Sequence, residues 1–190
     1  MNKILSKILK NWYIYLLTGA VTVIASCYYI DFANKPRNEE TLYIFSATYT
    51  KNTIEFKNNL LERSPSYLRE ITIFNVYPDI SNFSYYLANQ GLNRADIFIL
   101  PTSVLFDELL EKQFLKLDQN VLKQYFSATL DASEHGVLLH KKGSGNNGLL
   151  TFSTETSDED YYVFYRKNSL HAVDYDTSFK LTKELLRDYE

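Results

Sequence analysis

The chain has 190 residues, with 20 lysines and arginines against 23 aspartates and glutamates, for a formal net charge of -3 at pH 7. That near balance, with no basic stripe in the sequence, excludes nucleic acid as an expected partner. A single cysteine, Cys27, excludes an internal disulfide and a cysteine-based zinc site.

The N-terminus carries Lys3, Lys7 and Lys10, followed by a run from Trp12 to Ile30 without Asp, Glu, Lys or Arg. Roughly twenty apolar residues cross a hydrocarbon core as a helix. At close range, positive charge lies only on the N-terminal flank, which predicts a cytoplasmic N-terminus with the rest of the chain outside the cell membrane. Two readings of the segment stand side by side. In the first, residues 12–30 are an uncleaved single-pass helix, with Trp12, Tyr13 and Tyr15 near one interface and Tyr28 and Tyr29 near the other. In the second, Ile24-Ala25-Ser26-Cys27 resembles a bacterial lipobox, and the cleaved chain is lipidated at Cys27. Both leave an extracytoplasmic domain. The expected division is an anchor over 1–30, a polar stalk over 31–41 and a single α/β lobe over 42–190.

About 155 residues beyond the anchor are enough for one domain with its own core and short for two. That part has no thiol, which suits a Gram-positive surface protein built without disulfides. The sequence has 16 Tyr and 12 Phe. The plainer reading places them at half-buried strand positions; the other has some of them stack on a ligand or a partner.

LYIFSA (Leu42–Ala47) is apolar with almost no alternation, as expected of a strand buried on both faces. A helix over 50–62 follows, capped by Thr50 or Asn52, with Ile54, Phe56, Leu60 and Leu61 at partly helical spacing. Ile71–Tyr77 is a second strand. A second helical stretch, from Pro78-Asp79 to Gly91, puts Phe83, Tyr86 and Leu87 on one face. Ala95–Pro101 is a third strand, and Thr102 or Ser103 caps a helix over Val104–Lys112. Such β-α-β-α-β-α alternation predicts parallel strands with right-handed crossovers, hence an open, mostly parallel sheet flanked by helices. Further on, Gly136–Lys141 and Leu149–Ser153 read as a hairpin around Gly143–Gly148. Ser157–Asp160 is an acidic loop, Tyr161–Lys167 a strand, and Ser178–Asp188 a helix with Phe179, Leu181, Leu185 and Leu186 as its apolar face.

From Thr41 to Asn120 the chain resembles the first lobe of extracellular solute-binding proteins of the type 2 periplasmic-binding fold, in the sugar-binding branch of ABC importers. The resemblance is carried by LYIFSAT, by ITIFNVYP, by ADIFILPTSVLFDELLEKQFLKLDQ, and by YYVFYRKNSLHAV with its C-terminal helix, which is similar to a strand returning to that lobe. Only about forty residues separate the returning strand from the rest, too few for a second lobe of ordinary domain size. The chain thus resembles a single-lobe, membrane-anchored form found in Firmicutes. The resemblance implies an extracytoplasmic solute-binding module of an ABC-type import system, for a carbohydrate or another small polar solute, with an ABC permease as partner. The missing lobe favours an alternative: a non-catalytic accessory domain that docks on a transporter or sensor.

In open α/β sheets ligands bind outside the carboxyl ends of the strands. Those ends carry Ser46, Thr48 and Tyr49, then Asn75 and Tyr77, then Thr102 and Ser103. Hydroxyls, helix N-termini and a tyrosine face suit a polar neutral ligand. The plainer reading makes Thr48, Thr102 and Ser103 helix caps. Catalysis is not expected. His135, His140 and His171 are scattered, HExxH, GxSxG and Walker motifs do not occur, and the glycine-rich GSGNNG at Gly143–Gly148 falls in an expected hairpin turn with no helix after it. Neither a metal nor a cofactor is implied. The Asp158-Glu159-Asp160 cluster reads as a solvated loop rather than a calcium site.

Overall fold

The apolar run near the N-terminus is one continuous helix, α1 (Trp12–Asn34). The computed structural model describes residues 10–50, 52–126, 132–144, 150–151, 159–169, 171 and 176–187; Lys3 and Lys7 lie outside them. At about 1.5 Å per residue α1 is a rod of about 34 Å, long enough for a hydrocarbon core of about 30 Å. It is long and apolar enough to cross a membrane or to serve as a signal sequence. The Thr18 and Thr22 hydroxyls donate to the carbonyls of Ile14 and Thr18 at 2.6 and 2.8 Å, so both threonines are satisfied within the helix. Cys27 is exposed on it. The helix passes the expected boundary at Ile30, because nothing in Asp31–Asn34 breaks it. It stops where Lys35 turns extended (φ -63, ψ 126). Pro36 follows, and a proline disfavours the helical region for the residue before it. Part of the expected stalk is therefore helical.

The chain divides into two compact units, Met1–Arg37 and Asn38–Glu190. The second begins with a 3₁₀ turn, Asn38–Glu40, and enters β1 (Thr41–Ser46). There follow β2 (Tyr49–Thr50), α2 (Thr53–Arg63), β3 (Glu70–Asn75), α3 (Phe83–Tyr86) running on as a π-helical stretch over Leu87–Leu92, and β4 (Ile97–Pro101). Then come α4 (Asp107–Gln113), α5 (Gln119–Tyr125), β5 (Gly136–His140), β6 (Leu150–Thr151), β7 (Tyr161–Tyr165) and α6 (Asp176–Arg187). Five strands form an open sheet in the order β3-β1-β4-β7-β5. It is mixed rather than mostly parallel: β1 pairs in parallel with β3 and β4, whereas β7 runs antiparallel to both β4 and β5.

Covered faces explain the unbroken apolar strands. Leu42 and Ile44 of β1, Ile97 and Ile99 of β4, and Val163 and Tyr165 of β7 point into one core, with Phe56 and Leu60 of α2 and Phe179, Leu181 and Leu185 of α6. The alternate residues Phe45, Phe98, Leu100 and Phe164 point into a second core, with Phe83, Leu87, Leu109 and Phe114. A strand feeding two cores has no polar face, and so no alternation.

Several local expectations change. The cap of α2 is Asn52, whose side chain accepts the Glu55 N–H at 3.2 Å. Ile54 faces solvent. Tyr86 is also turned outward while Phe83 and Leu87 are buried, because the chain widens into the π stretch at Leu87 and rotates the face. Gly91 on that stretch lies against Phe45 and Phe98; an added Cβ would meet their rings at 3.2 and 3.1 Å. Thr102–Val104 form a 3₁₀ turn, and α4 starts only after Phe106, so neither Thr102 nor Ser103 caps it. The expected hairpin does not form: β5 pairs with β7, and β6 pairs antiparallel with β2. Buried almost throughout, β5 needs a place inside the large sheet rather than in a two-stranded ribbon. Residues 145–148 of its expected turn lie outside the described residues, as do Leu149, Phe152 and Ser153 of its expected second strand.

Gly136 shows how tightly that place is built. It sits across from Phe164, and a Cβ on it would lie 2.6 Å from the ring. Gly136→Ala is expected to cost about 1–3 kcal/mol. Urea unfolding at unchanged m-value checks this, and Phe164→Leu in the same chain should return part of the loss.

Candidate functional site

The loops after β1 and β4 leave the sheet at its topological switch point, since β3 and β4 lie on opposite sides of β1. All seven residues expected at this end close or follow β1, β3 or β4, but they divide into two kinds. Ser46 and Thr48 are fully buried and bond each other, Oγ to Oγ1, at 2.7 Å. The Val76 N–H donates to the Ser46 carbonyl at 2.9 Å and the Ala47 N–H to that of Ile99 at 2.8 Å. The backbone ties β1 to its neighbours here, and the two hydroxyls, fully buried and bonded to each other, do not face a ligand. Asn75 is half-buried across from Ser46.

The other kind forms a crest. The Tyr49 and Tyr77 rings stack with centroids 3.9 Å apart and planes 12° from parallel. The Tyr49 hydroxyl donates to the Asp79 carboxylate, 3.1 and 3.3 Å from its two oxygens. Across the switch point, the Ser103 N–H donates to Glu159 Oε2 at 2.9 Å and the Thr102 hydroxyl to the same oxygen at 3.4 Å. Thr102 N–H donates to the Asp160 carbonyl at 3.0 Å, and the Lys142 N–H to the Asp160 carboxylate at 2.7 Å. Glu159 thus fills the first turn after β4, where the sequence pointed to a ligand.

Electrostatics give the crest a sign. Burial pushes the Tyr161 hydroxyl up to about 12, helped by the charges of Glu159, Tyr49 and Asp79. Burial also raises Tyr49, followed by its bond to Asp79, the Asp79 charge and Tyr77. The Asp79 and Glu159 carboxylates that add to these shifts also repel anionic solutes. Three contributors escaped the sequence reading: Asp79, Glu159 and Tyr161. A carboxylate two residues beyond a strand-end tyrosine was the available signal for Asp79. Glu159 lay within the run read as solvated loop; Asp158 of that run is outside the described residues.

Beside the crest lies a groove of about 540 Å³, lined by Pro78, Ile80, Phe83, Leu87 and Phe106 among others, with Ser103 on its border. Ile80 and Phe106 are 41% and 57% exposed.

A serine, a histidine and an aspartate also meet at the other end of the sheet, in the wrong order for nucleophilic chemistry. The Ser169 hydroxyl donates to Asp96 Oδ1 at 2.5 Å, and the His171 N–H donates to Ser169 Oγ at 3.0 Å. His171 Nε2 lies 3.0 Å from the Thr41 carbonyl, so that nitrogen carries the proton and faces no serine.

The fold and the site define an α/β domain with an open mixed sheet and an aromatic, acidic crest at its switch point, in a chain that opens with an apolar helix. No family model matches the chain, and no curated protein or solved structure matches it.

Proposed function

We propose that the chain is a membrane-tethered, non-catalytic solute-binding-like lobe of an import system, built as one lobe of the type 2 periplasmic-binding fold and offering one wall of a site for a small polar solute. The observation that carries this reading is the crest: a stacked tyrosine pair with a carboxylate at the switch point of an open α/β sheet, where such sheets take ligands. The strand order supports it. β7 returns between β4 and β5, and only residues 141–160 separate the end of β5 from the start of β7. That excursion is where a second lobe would be inserted, and it is too short to form one. A single wall buries less solute, so a permease or another chain completes the site, and the lobe alone binds weakly, with Kd of roughly millimolar order.

The test is a thermal-shift and calorimetric screen of residues 38–190 against neutral sugars, small amines and small organic acids. A neutral or cationic solute at about ten times its Kd is expected to stabilise the unit by about 1.4 kcal/mol, with Tyr77→Ala removing the effect and organic acids giving none. A flat response to the whole panel would overturn the reading.

The apolar groove beside the crest favours a second reading, the accessory domain that docks on a membrane partner. Capture of a membrane protein by photo-cross-linking from Phe106 in native membranes, together with a flat solute screen, would favour this second reading over the first.

A further inference from the structure

At the amino ends of the same strands the sign of the chemistry reverses. A cavity of about 320 Å³ opens there, with Asn38, Tyr43, Arg94, Asp96, Arg166 and Asn168 on its wall. Its two arginines are brought together by the β4–β7 pairing. Arg94 comes two residues before Asp96, which leads into β4. Arg166 follows the last residue of β7, and its N–H donates to the Asp96 carbonyl at 3.0 Å. The pairing of Ile97 with Tyr165 therefore sets both side chains at one edge of the sheet.

Asp96 makes no ion pair with either of them, although the Arg166 charge acts on it. Asp96 is 7% exposed, and its carboxylate already accepts the Tyr43 N–H at 2.9 Å and the Ser169 hydroxyl at 2.5 Å. Among the described residues neither guanidinium has an ion-pair partner, whereas Arg69 pairs with Glu40 at 3.4 Å. The Asp96 network, with His171 held on the Thr41 carbonyl, fixes the floor beneath them. Two forks of N–H donors, flanked by the amides of Asn38 and Asn168 over a rigid floor, match a group with several charged oxygens.

We propose that this cavity is an oxyanion site that takes a phosphoryl group, separate from the crest and opposite to it in charge preference. Asn38 on its wall follows Asn34, the last residue of α1, by four positions. A lipid headgroup and a free phosphorylated solute are therefore both sources of such a group, and the test distinguishes them.

The full chain, purified in a neutral detergent, is titrated with inorganic phosphate and with glycerol 3-phosphate, followed by calorimetry and thermal midpoint. In parallel it is reconstituted in phosphatidylcholine vesicles with and without phosphatidic acid. Wild-type protein should bind glycerol 3-phosphate, more weakly as salt rises. Arg94→Gln and Arg166→Gln should each lower the affinity about tenfold or more, while Asp79→Asn at the crest leaves it unchanged. Arg94 is exposed, so Arg94→Gln keeps the measurement informative should Arg166→Gln fail to fold; Arg94→Lys, which keeps the charge and loses the fork, should fall between. Stabilisation by phosphatidic acid that both glutamine variants lose assigns the site to a headgroup. Stabilisation by the soluble esters alone assigns it to a free solute. No response to either phosphate and no difference between the vesicles would overturn the proposal, as would a response the arginine variants leave intact.

Discussion

Phe98→Ala is expected to cost the domain about 3–5 kcal/mol, against a total stability of about 5–15 kcal/mol for a domain of ordinary size. Phe98 is fully buried in β4, the middle strand of the five. Its ring meets Phe114 edge-on at 5.0 Å and Phe45 at 6.0 Å, and Phe114 stacks in turn on Phe164 at 4.9 Å. Gly91 has given up a side chain to let that ring approach. Every neighbour is held by its own strand or helix, so little can collapse into the space an alanine leaves. The cavity term then adds to the lost transfer energy. Phe98→Leu keeps most of the volume and should cost clearly less. Urea unfolding of both variants checks the order. Because β4 leads straight into Thr102 and Ser103, the alanine variant should also loosen the turn that Glu159 holds, and weaken any solute response at the crest.

The chain could announce its strands but not their partners. LYIF and IFIL are apolar at consecutive positions because each feeds two cores, and burial of that kind is a local property. Pairing is not. Tyr49 of β2 meets Thr151 of β6 across a hundred residues of chain, and nothing in the glycine-rich stretch after His140 told that Leu150 would be drawn to β2 instead of back onto β5. The direction of β7 was equally hidden, since YYVFY reads the same whether it runs with or against β4. The crest was readable only as residue types at strand ends. Ser46 and Thr48 have the right chemistry for a solute and spend it on each other. Asp79 and Glu159 pass for loop charges until the fold sets them beside Tyr49 and Ser103. The opposing arginines are the hardest case, because Arg94 and Arg166 lie seventy-two positions apart and only the antiparallel register makes them neighbours.

Asp96→Ala should cost roughly 2–4 kcal/mol, through the donors it strands rather than through charge. The Tyr43 N–H and the Ser169 hydroxyl both end on its carboxylate in a buried setting, and Ser169 in turn receives the His171 N–H. The backbone donor cannot turn away, so it stays unpaired at full desolvation cost. Asp96→Asn keeps an acceptor oxygen and should cost under about 1.5 kcal/mol, which separates the hydrogen-bond role from the charge. The pH dependence has a definite sign. Burial raises the Asp96 carboxyl above its ordinary range, against the lowering effects of Ser169, Tyr43, His171 and Arg166. The folded state therefore holds this proton more tightly than the unfolded chain does, and stability falls as pH rises. Its contribution is full below the unfolded value of 3.8, declines as pH climbs to the raised folded value, and is flat above it. In Asp96→Asn that slope disappears, so the wild-type curve minus the asparagine curve should fall with rising pH and then level. Urea unfolding of the two proteins from about pH 4 to about pH 8 reads the difference directly. A difference that rises with pH would mean that the carboxylate is stabilised by its surroundings and that the two arginines act on it as partners, leaving them less free for an oxyanion.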